Sequence, residues 1–506
     1  QTSSTTNRLQ QSLQQHFFFL NCRKMTTTRT VVSMFSMLSM SMIVPGVTAT
    51  FTHDFGTVQN MMWGWLATDT TNESLAFFAK NYNVVVLSAG NGVDCDLSNP
   101  DKFPTFEWAR TLRRMNPKVK ILLYENTYFG AICFGQKEFK QHPSWWLKDD
   151  NGKVYMQTVV RNGVKTNIGP LLVDWRIPEV RKWWVEMVTQ AHDYQTLFDG
   201  ILVDGAEAAN PMDNTTYFMK LSTYKELVQV KLDMIGEAKT FFAALNHGEV
   251  IGNPTLDWGV VGYPSRQARA PFPPHYHWQY ITGSLDEMFG AFATQQVDGQ
   301  WNASTMNISI TAIIESATQL NATVLVRGYP GPCNVPLLPV NITCKVGDPN
   351  CRPDGHTEVI VPAWPAGWPE VQPTTASGLQ HAAMQLVDQA LAPYLIMAQP
   401  NVFWSYAYFY QDTSGWYPCK EDPNSCLAPP DWYPEFSNKL GRPKGAAVYS
   451  GSYVWTREYD GASVYVDLTD RSKSKVTWNP AAVASSHIKH TSLTSVNVER
   501  ATLEQQ

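Results

Sequence analysis

The sequence predicts an α/β protein: a (β/α)8 barrel, the TIM-barrel architecture, with a long loop insertion and a small C-terminal antiparallel β appendage. Three observations predict it. Eight short apolar runs, alternating with segments of helical period, occur between residues 60 and 406. Those runs are apolar on both faces, as fits strands covered by helices. No Gly-rich phosphate loop follows the first run, which sets aside a doubly wound nucleotide-binding sheet.

The elements follow in order. Met61 to Leu66 is the first strand, with a helix over Asn72 to Lys80. Val84 to Ser88 is the second, and its helix, Phe106 to Met115, stops at Asn116-Pro117 because the residue before Pro disfavours helical backbone. Lys120 to Tyr124 is the third strand and runs into Glu125. Pro178 to His192 is a helix with Pro in its first turn. Ile201 to Val203 is the fourth strand, entered through Phe198-Asp199-Gly200 and left through Asp204-Gly205. The long helical pattern Tyr224 to Leu245 leads to a fifth strand, Glu249 to Gly252. Ile281 to Leu285 is the sixth, followed by Asp286-Glu287 and a helix over Ile308 to Leu320. Thr323 to Arg327 is the seventh, Leu379 to Met397 a helix, and Val402 to Tyr406 the eighth strand. About 350 residues for eight units fits a barrel carrying insertions.

The organisation expected is therefore a barrel over 50–440 with 331–376, rich in Pro and Cys, as an inserted loop beside the cleft. A β appendage follows over 441–484, where two alternating runs flank Asp460-Gly461, a hairpin signal. Residues 485–506 read as a disordered tail, and 1–24, upstream of Met25, as an untranslated or disordered leader. Residues 25–49 have the layout of a secretory signal peptide: Arg29, an apolar run over Val31 to Val44, then Val47-Thr48-Ala49.

Two further features agree with a secreted, extracellular protein and with no membrane span after signal cleavage. Six Asn-x-Ser/Thr sequons occur, at Asn72, Asn214, Asn302, Asn307, Asn321 and Asn341. Seven of the eight cysteines follow residue 49. Cys344 with Cys351, Cys419 with Cys426, and Cys95 with Cys133 read as disulfides, which leaves Cys333 unassigned. No CxxC accompanies them, and His275 and His277 lack a third ligand, so no metal and no cofactor is expected. A formal net charge of −5 carries no basic footprint for nucleic acid. The 18 Trp, 21 Tyr and 23 Phe serve the core, and the surplus of rings suits stacking on the apolar faces of sugars.

Glycosidic bonds are usually cleaved by two carboxyl groups, one protonating the leaving oxygen and one acting as nucleophile or activating water. In a barrel such groups stand at the carboxyl ends of strands. Asp204 is the first candidate and Glu287 the second, with Glu125 as a third acid. Asp174, Glu207, Asn253, Tyr329, Trp404, Tyr406, Trp145 and Trp146 are candidate substrate contacts. Asp174, just before the Pro178 helix, reads equally as a loop anchor. Asp257 and Asp286 are further strand-end acids, and no Gly-x-Ser-x-Gly elbow suggests a serine hydrolase.

Several short runs carry a resemblance: His142-Pro143-Ser144-Trp145-Trp146-Leu147-Lys148-Asp149, Leu172-Val173-Asp174-Trp175, and Pro178-Glu179-Val180-Arg181-Lys182-Trp183-Trp184. Phe198 to Gly205, Arg327 to Pro332 and Trp455 to Tyr459 extend it. In this order they resemble the TIM-barrel "hypothetical glycosyl hydrolase" families across roughly residues 60 to 470. The resemblance implies an acid at the end of strand four or six, which falls on Asp204 and Glu287, and a carbohydrate substrate. A non-catalytic carbohydrate-binding or wall protein on the same scaffold is the alternative, since fold does not imply activity. Another barrel hydrolase, such as an amidase, is a third reading.

Overall fold

The computed structural model describes residues 51–64, 72–88, 104–127, 136–149, 151–154, 156–161, 164–170, 172–190, 194–206, 221–244, 248–253, 276–289, 303–328, 337–343, 356–362, 376–406 and 433–483. All eight cysteines, the leader, the signal segment and the tail from 485 lie outside them.

In chain order the strands begin with β1 (Met61–Gly64), β2 (Val84–Ser88), β3 (Lys120–Asn126), β4 (Met156–Arg161) and β5 (Val164–Pro170). Next come β6 (Gly200–Asp204), β7 (Glu249–Asn253), β8 (Gly283–Phe289), β9 (Thr323–Gly328), β10 (Leu337–Thr343), β11 (His356–Pro362) and β12 (Val402–Tyr406). The last four are β13 (Val448–Gly451), β14 (Val454–Glu458), β15 (Ala462–Asp467) and β16 (Lys475–Trp478). The longer helices are α1 (Asn72–Asn81), α2 (Pro104–Met115), α3 (Pro178–Gln190), α4 (Leu221–Ala244), α5 (Ala303–Thr318) and α6 (Ala376–Met397).

Eight strands form one parallel sheet in the order β1-β2-β3-β6-β7-β8-β9-β12. Asn60 bridges Trp404 in parallel, and the Trp404 amide donates to the Gln59 carbonyl at 3.0 Å, bringing the last strand back to the first. The predicted barrel is thus present and nearly closed. The period-two alternation of side chains sorts each strand into two faces. Met61, Val84, Val86, Leu122, Tyr124, Leu202, Ile251, Leu285, Leu325 and Phe403 meet in one buried cluster, the barrel interior. Their neighbours Val85, Ile121, Leu123, Ile201, Val203, Val250, Val324, Val326 and Val402 pack outward into the larger core under the helices. Removing each such aliphatic side chain from water contributes about 1.5–3 kcal/mol, which explains why the middle positions of these strands are apolar on both faces.

The floor of the barrel is polar but paired. Glu249, fully buried at the start of β7, accepts from the Phe51 amide at 3.4 Å, from the Thr323 hydroxyl at 2.7 Å and from the Thr282 hydroxyl. Gly200 must be glycine: a Cβ there would stand 2.0 Å from the Glu249 carbonyl oxygen. Asp199, before it, pairs with Arg113 of α2, accepts from the Ile121 amide at 2.8 Å and lies 3.4 Å from Lys120 Nζ. This part of the Phe198-Asp199-Gly200 run fastens α2 to the bottom of the sheet.

Two loops differ from expectation. The connection after β3 contains the antiparallel hairpin β4–β5, in which Arg161 pairs with Val164. The expected inserted loop contains a second one, β10–β11, from Leu337↔Pro362 to Thr343↔His356. An extended pair satisfies its own backbone groups, so such an insertion needs little apolar pattern of its own.

The appendage is a four-stranded antiparallel meander, β13-β14-β15-β16, docked on α6. Arg457 Nη1 donates to the carbonyls of Leu395, Ile396 and Ala398 at the end of α6, and the Tyr459 hydroxyl donates to Leu395 O at 2.5 Å. A helix end leaves four carbonyls unpaired, and this buried arginine takes up two of them and that of Ala398 while opposing the negative end of the helix dipole. Trp455 Nε1 donates to Asn307 Oδ1 of α5 at 2.8 Å. No described helix is long and apolar enough to cross a membrane.

Candidate active site

Asp204 closes β6 at the C-terminal mouth of the barrel, two residues beyond the interior residue Leu202. In register it stands level with Asn126 of β3 and Asn253 of β7. Its Oδ2 accepts from the Tyr124 hydroxyl at 2.5 Å and from Asn126 Nδ2 at 2.8 Å. Asn126 Nδ2 also donates to the Tyr124 hydroxyl oxygen at 3.1 Å. The Asp204 carbonyl accepts from the Thr127 amide and hydroxyl, both at 2.9 Å, and Trp175 Nε1 donates to the Thr127 carbonyl at 2.9 Å. Both ends of the residue are therefore fixed by β3 and by the loop that follows it. Tyr124, Asn126 and Thr127 were not among the sequence candidates. The signal that would have found Tyr124 and Asn126 is parity: with Leu122 they share one face of β3.

Glu287 lies in β8 where the ladder with β9 shifts. Asp286 pairs with Val326 and Phe289 with Gly328, so Glu287 and Met288 together oppose the single residue Arg327. That is a β-bulge, a device that re-aims a strand at barrel rims and beside active sites. Arg327 is buried, two residues beyond the interior residue Leu325, and stands level with Ser405 of β12. Strands β6 and β8 are separated by one strand, so their backbones are about 10 Å apart.

The structure takes three expected residues out of the mouth. Glu125 alternates with the interior residue Tyr124 and so falls on the helix-facing side with Leu123. It is 4% exposed, its Oε1 has no hydrogen-bond partner, and burial pushes its carboxyl well above the ordinary range. Trp145 is 2% exposed, stacked on His142 at 4.3 Å and tilted against Trp183 at 5.1 Å. Trp404, on the outward face of β12, is fully buried between Tyr394 and Tyr406. Neither indole presents a face to a sugar.

Among the remaining candidates, Tyr406 is buried beside Tyr433 at 5.1 Å. Trp146 is partly exposed, bridges Val173, and donates from Nε1 to the Phe139 carbonyl at 2.8 Å. Asp174 is held by Arg176 through two bonds of 2.8 Å, and its amide donates to the Trp145 carbonyl at 2.9 Å, the geometry of a loop anchor. Glu207, Tyr329 and Asp257 lie outside the described residues, as do the side chains of Asn253 and Glu287. Among the described residues, no group of three His, Cys, Asp or Glu is placed to hold a metal ion.

Residues 113–330 match the model of hypothetical glycosyl hydrolase family 15. The match runs from the end of α2 to just past β9, and so includes Asp204, Glu287 and Arg327. The likeness to hypothetical glycosyl hydrolase families seen in the sequence is borne out over this span, which is less than half of the chain. No curated protein matches. Solved structures similar in fold include an α-amylase from Lactobacillus plantarum, at 10% identity over 81% of this chain and 87% of that one, with a TM-score of 0.40. Another is a maltogenic α-amylase from Thermotoga neapolitana, at 10% identity, 81% and 85% coverage and a TM-score of 0.41. A trehalose-6-phosphate hydrolase from Bacillus licheniformis matches at 10% identity over 54% of this chain, with a TM-score of 0.35. The chain spans 57% of that enzyme's length.

Proposed function

We propose that this chain is a secreted O-glycoside hydrolase acting on a polysaccharide or glycoconjugate, with Asp204 and Glu287 as the two reacting carboxyl groups. The observation that carries the reading is Asp204, a carboxylate fixed at the mouth of a parallel barrel inside a span that matches a glycosyl hydrolase family. Glu287, in the bulge two strands further round, supplies the second carboxyl position. One group protonates the departing oxygen, and the other attacks the anomeric carbon or deprotonates the attacking water. Export is supported by the signal-like segment and by two sequons whose Asn72 and Asn321 are exposed. Asn307 is instead engaged by Trp455, so we expect glycans at Asn72 and Asn321 rather than there.

The test is a panel of polysaccharides and glycoprotein glycans incubated with the full chain and with Glu287→Gln, scoring released reducing ends. Turnover that is lost in Glu287→Gln supports the reading. Glycan binding without any turnover transfers the chain to the carbohydrate-binding class.

A further inference from the structure

Two donors meet Asp204 at Oδ2. The Tyr124 hydroxyl has one hydrogen and accepts from Asn126 Nδ2 at 3.1 Å, so its own hydrogen is left for Asp204 Oδ2. The same Asn126 Nδ2 also donates to Oδ2, at 2.8 Å. The three groups form a closed triangle in which both neighbours donate and the carboxyl oxygen only accepts. Two donors on a carboxyl oxygen favour the charged form of the group. Register makes the triangle possible: Asn126 is level with Asp204, and Tyr124, one layer lower in the interior, reaches up with its long ring.

We propose that Tyr124 and Asn126 are positioning residues that favour the anion of Asp204, so that Asp204 serves as the nucleophile or base rather than as the proton donor. This rests on Asp204 being a reacting group. The general-acid role then falls to the other carboxyl, Glu287.

The test is a carboxyl titration by carbon-13 NMR on protein labelled at aspartate, with the Asp204 resonance identified by its loss in Asp204→Asn. The native group is expected to titrate below the free-aspartate value, and Tyr124→Phe to raise its midpoint by roughly one unit. Asn126→Ala shifts it the same way. Incorporation of 3-fluorotyrosine, a stronger donor, lowers it and keeps the test open if Tyr124→Phe does not fold. On a cleaved substrate, the acid limb of kcat/KM moves with the midpoint while KM holds. A midpoint indifferent to all three changes overturns the assignment, even if Asp204→Asn abolishes turnover. A shifted midpoint in a chain that cleaves no glycan sustains the positioning and defeats the hydrolase reading instead.

Discussion

Replacing Arg457 by Met tests how the appendage is joined to the barrel. Arg457 is 3% exposed, and Nη1 serves three carbonyls at the end of α6, at 2.9 Å to Ile396, 3.3 Å to Leu395, and closer still to Ala398. The guanidinium also lies 5.2 Å from the centre of the Tyr459 ring. Methionine preserves most of the aliphatic bulk, so the loss is mainly electrostatic. A charge-assisted hydrogen bond contributes about 1.5–3 kcal/mol, but one guanidinium nitrogen shared among three acceptors is worth less than three such bonds. Tyr459 still holds Leu395 O, so two carbonyls lose their donor in a dry interface. The expected cost is about 4 kcal/mol. With an unfolding entropy near 2 cal/mol/K per residue, a chain of several hundred residues loses about 4–5 °C in Tm. Calorimetry and urea unfolding on Arg457→Met and Arg457→Lys read the effect. A loss under about 1 kcal/mol in Arg457→Met would refute the claim that this residue clamps the two parts together.

Three further outcomes follow from the buried charges. Asp199→Asn weakens the pair with Arg113, whose side chains are 13% and 20% exposed; stability falls by about 2 kcal/mol, while activity per folded molecule holds because Asp199 is at the opposite end of β6 from Asp204. Equal urea midpoints for mutant and wild type would remove that role. Glu125 is an acid raised by burial, so its contribution is full below its unfolded value and declines as pH rises. Glu125→Gln therefore gains Tm relative to wild type as pH rises from 4 to 8, and parallel Tm–pH curves would contradict this. His53 is a base lowered by burial to about 4, with Nε2 against the Val402 carbonyl and Nδ1 accepting from the Phe55 amide. Its neutral form contributes fully above about pH 6.5, and the contribution drains away as pH falls toward 4. Wild type is expected to lose about 1–2 kcal/mol between pH 7 and 5 that His53→Gln does not lose, and urea titrations at the two values decide it.

The barrel was legible because a strand buried on both faces carries apolar residues on both, and the middles of β2, β3, β6 and β9 read so directly. The hairpin β4–β5 was missed although Asn162-Gly163 stands between its strands, because Thr158, Arg161, Lys165 and Asn167 interrupt any apolar alternation. The β10–β11 pair was hidden among prolines and cysteines. Asp204 was legible as an acid ending an apolar run. Glu125 satisfied the same rule and faces the other way, since a shift of one residue along a strand exchanges interior for exterior. Only the observed register of β3 against β6 separates the two. Trp145 and Trp404 were read as platforms from ring type alone, whereas their burial depends on His142, Trp183, Tyr394 and Tyr406 being brought beside them.

The most direct measurement is the rate of reducing-end release by Asp204→Asn relative to wild type, on whichever glycan the panel yields and at matched folded concentration. If Asp204 is the reacting anion, the isosteric amide cannot attack or take a proton, and the rate falls by about four orders of magnitude with the fold intact. A rate within tenfold of wild type would place the chemistry elsewhere in the barrel mouth.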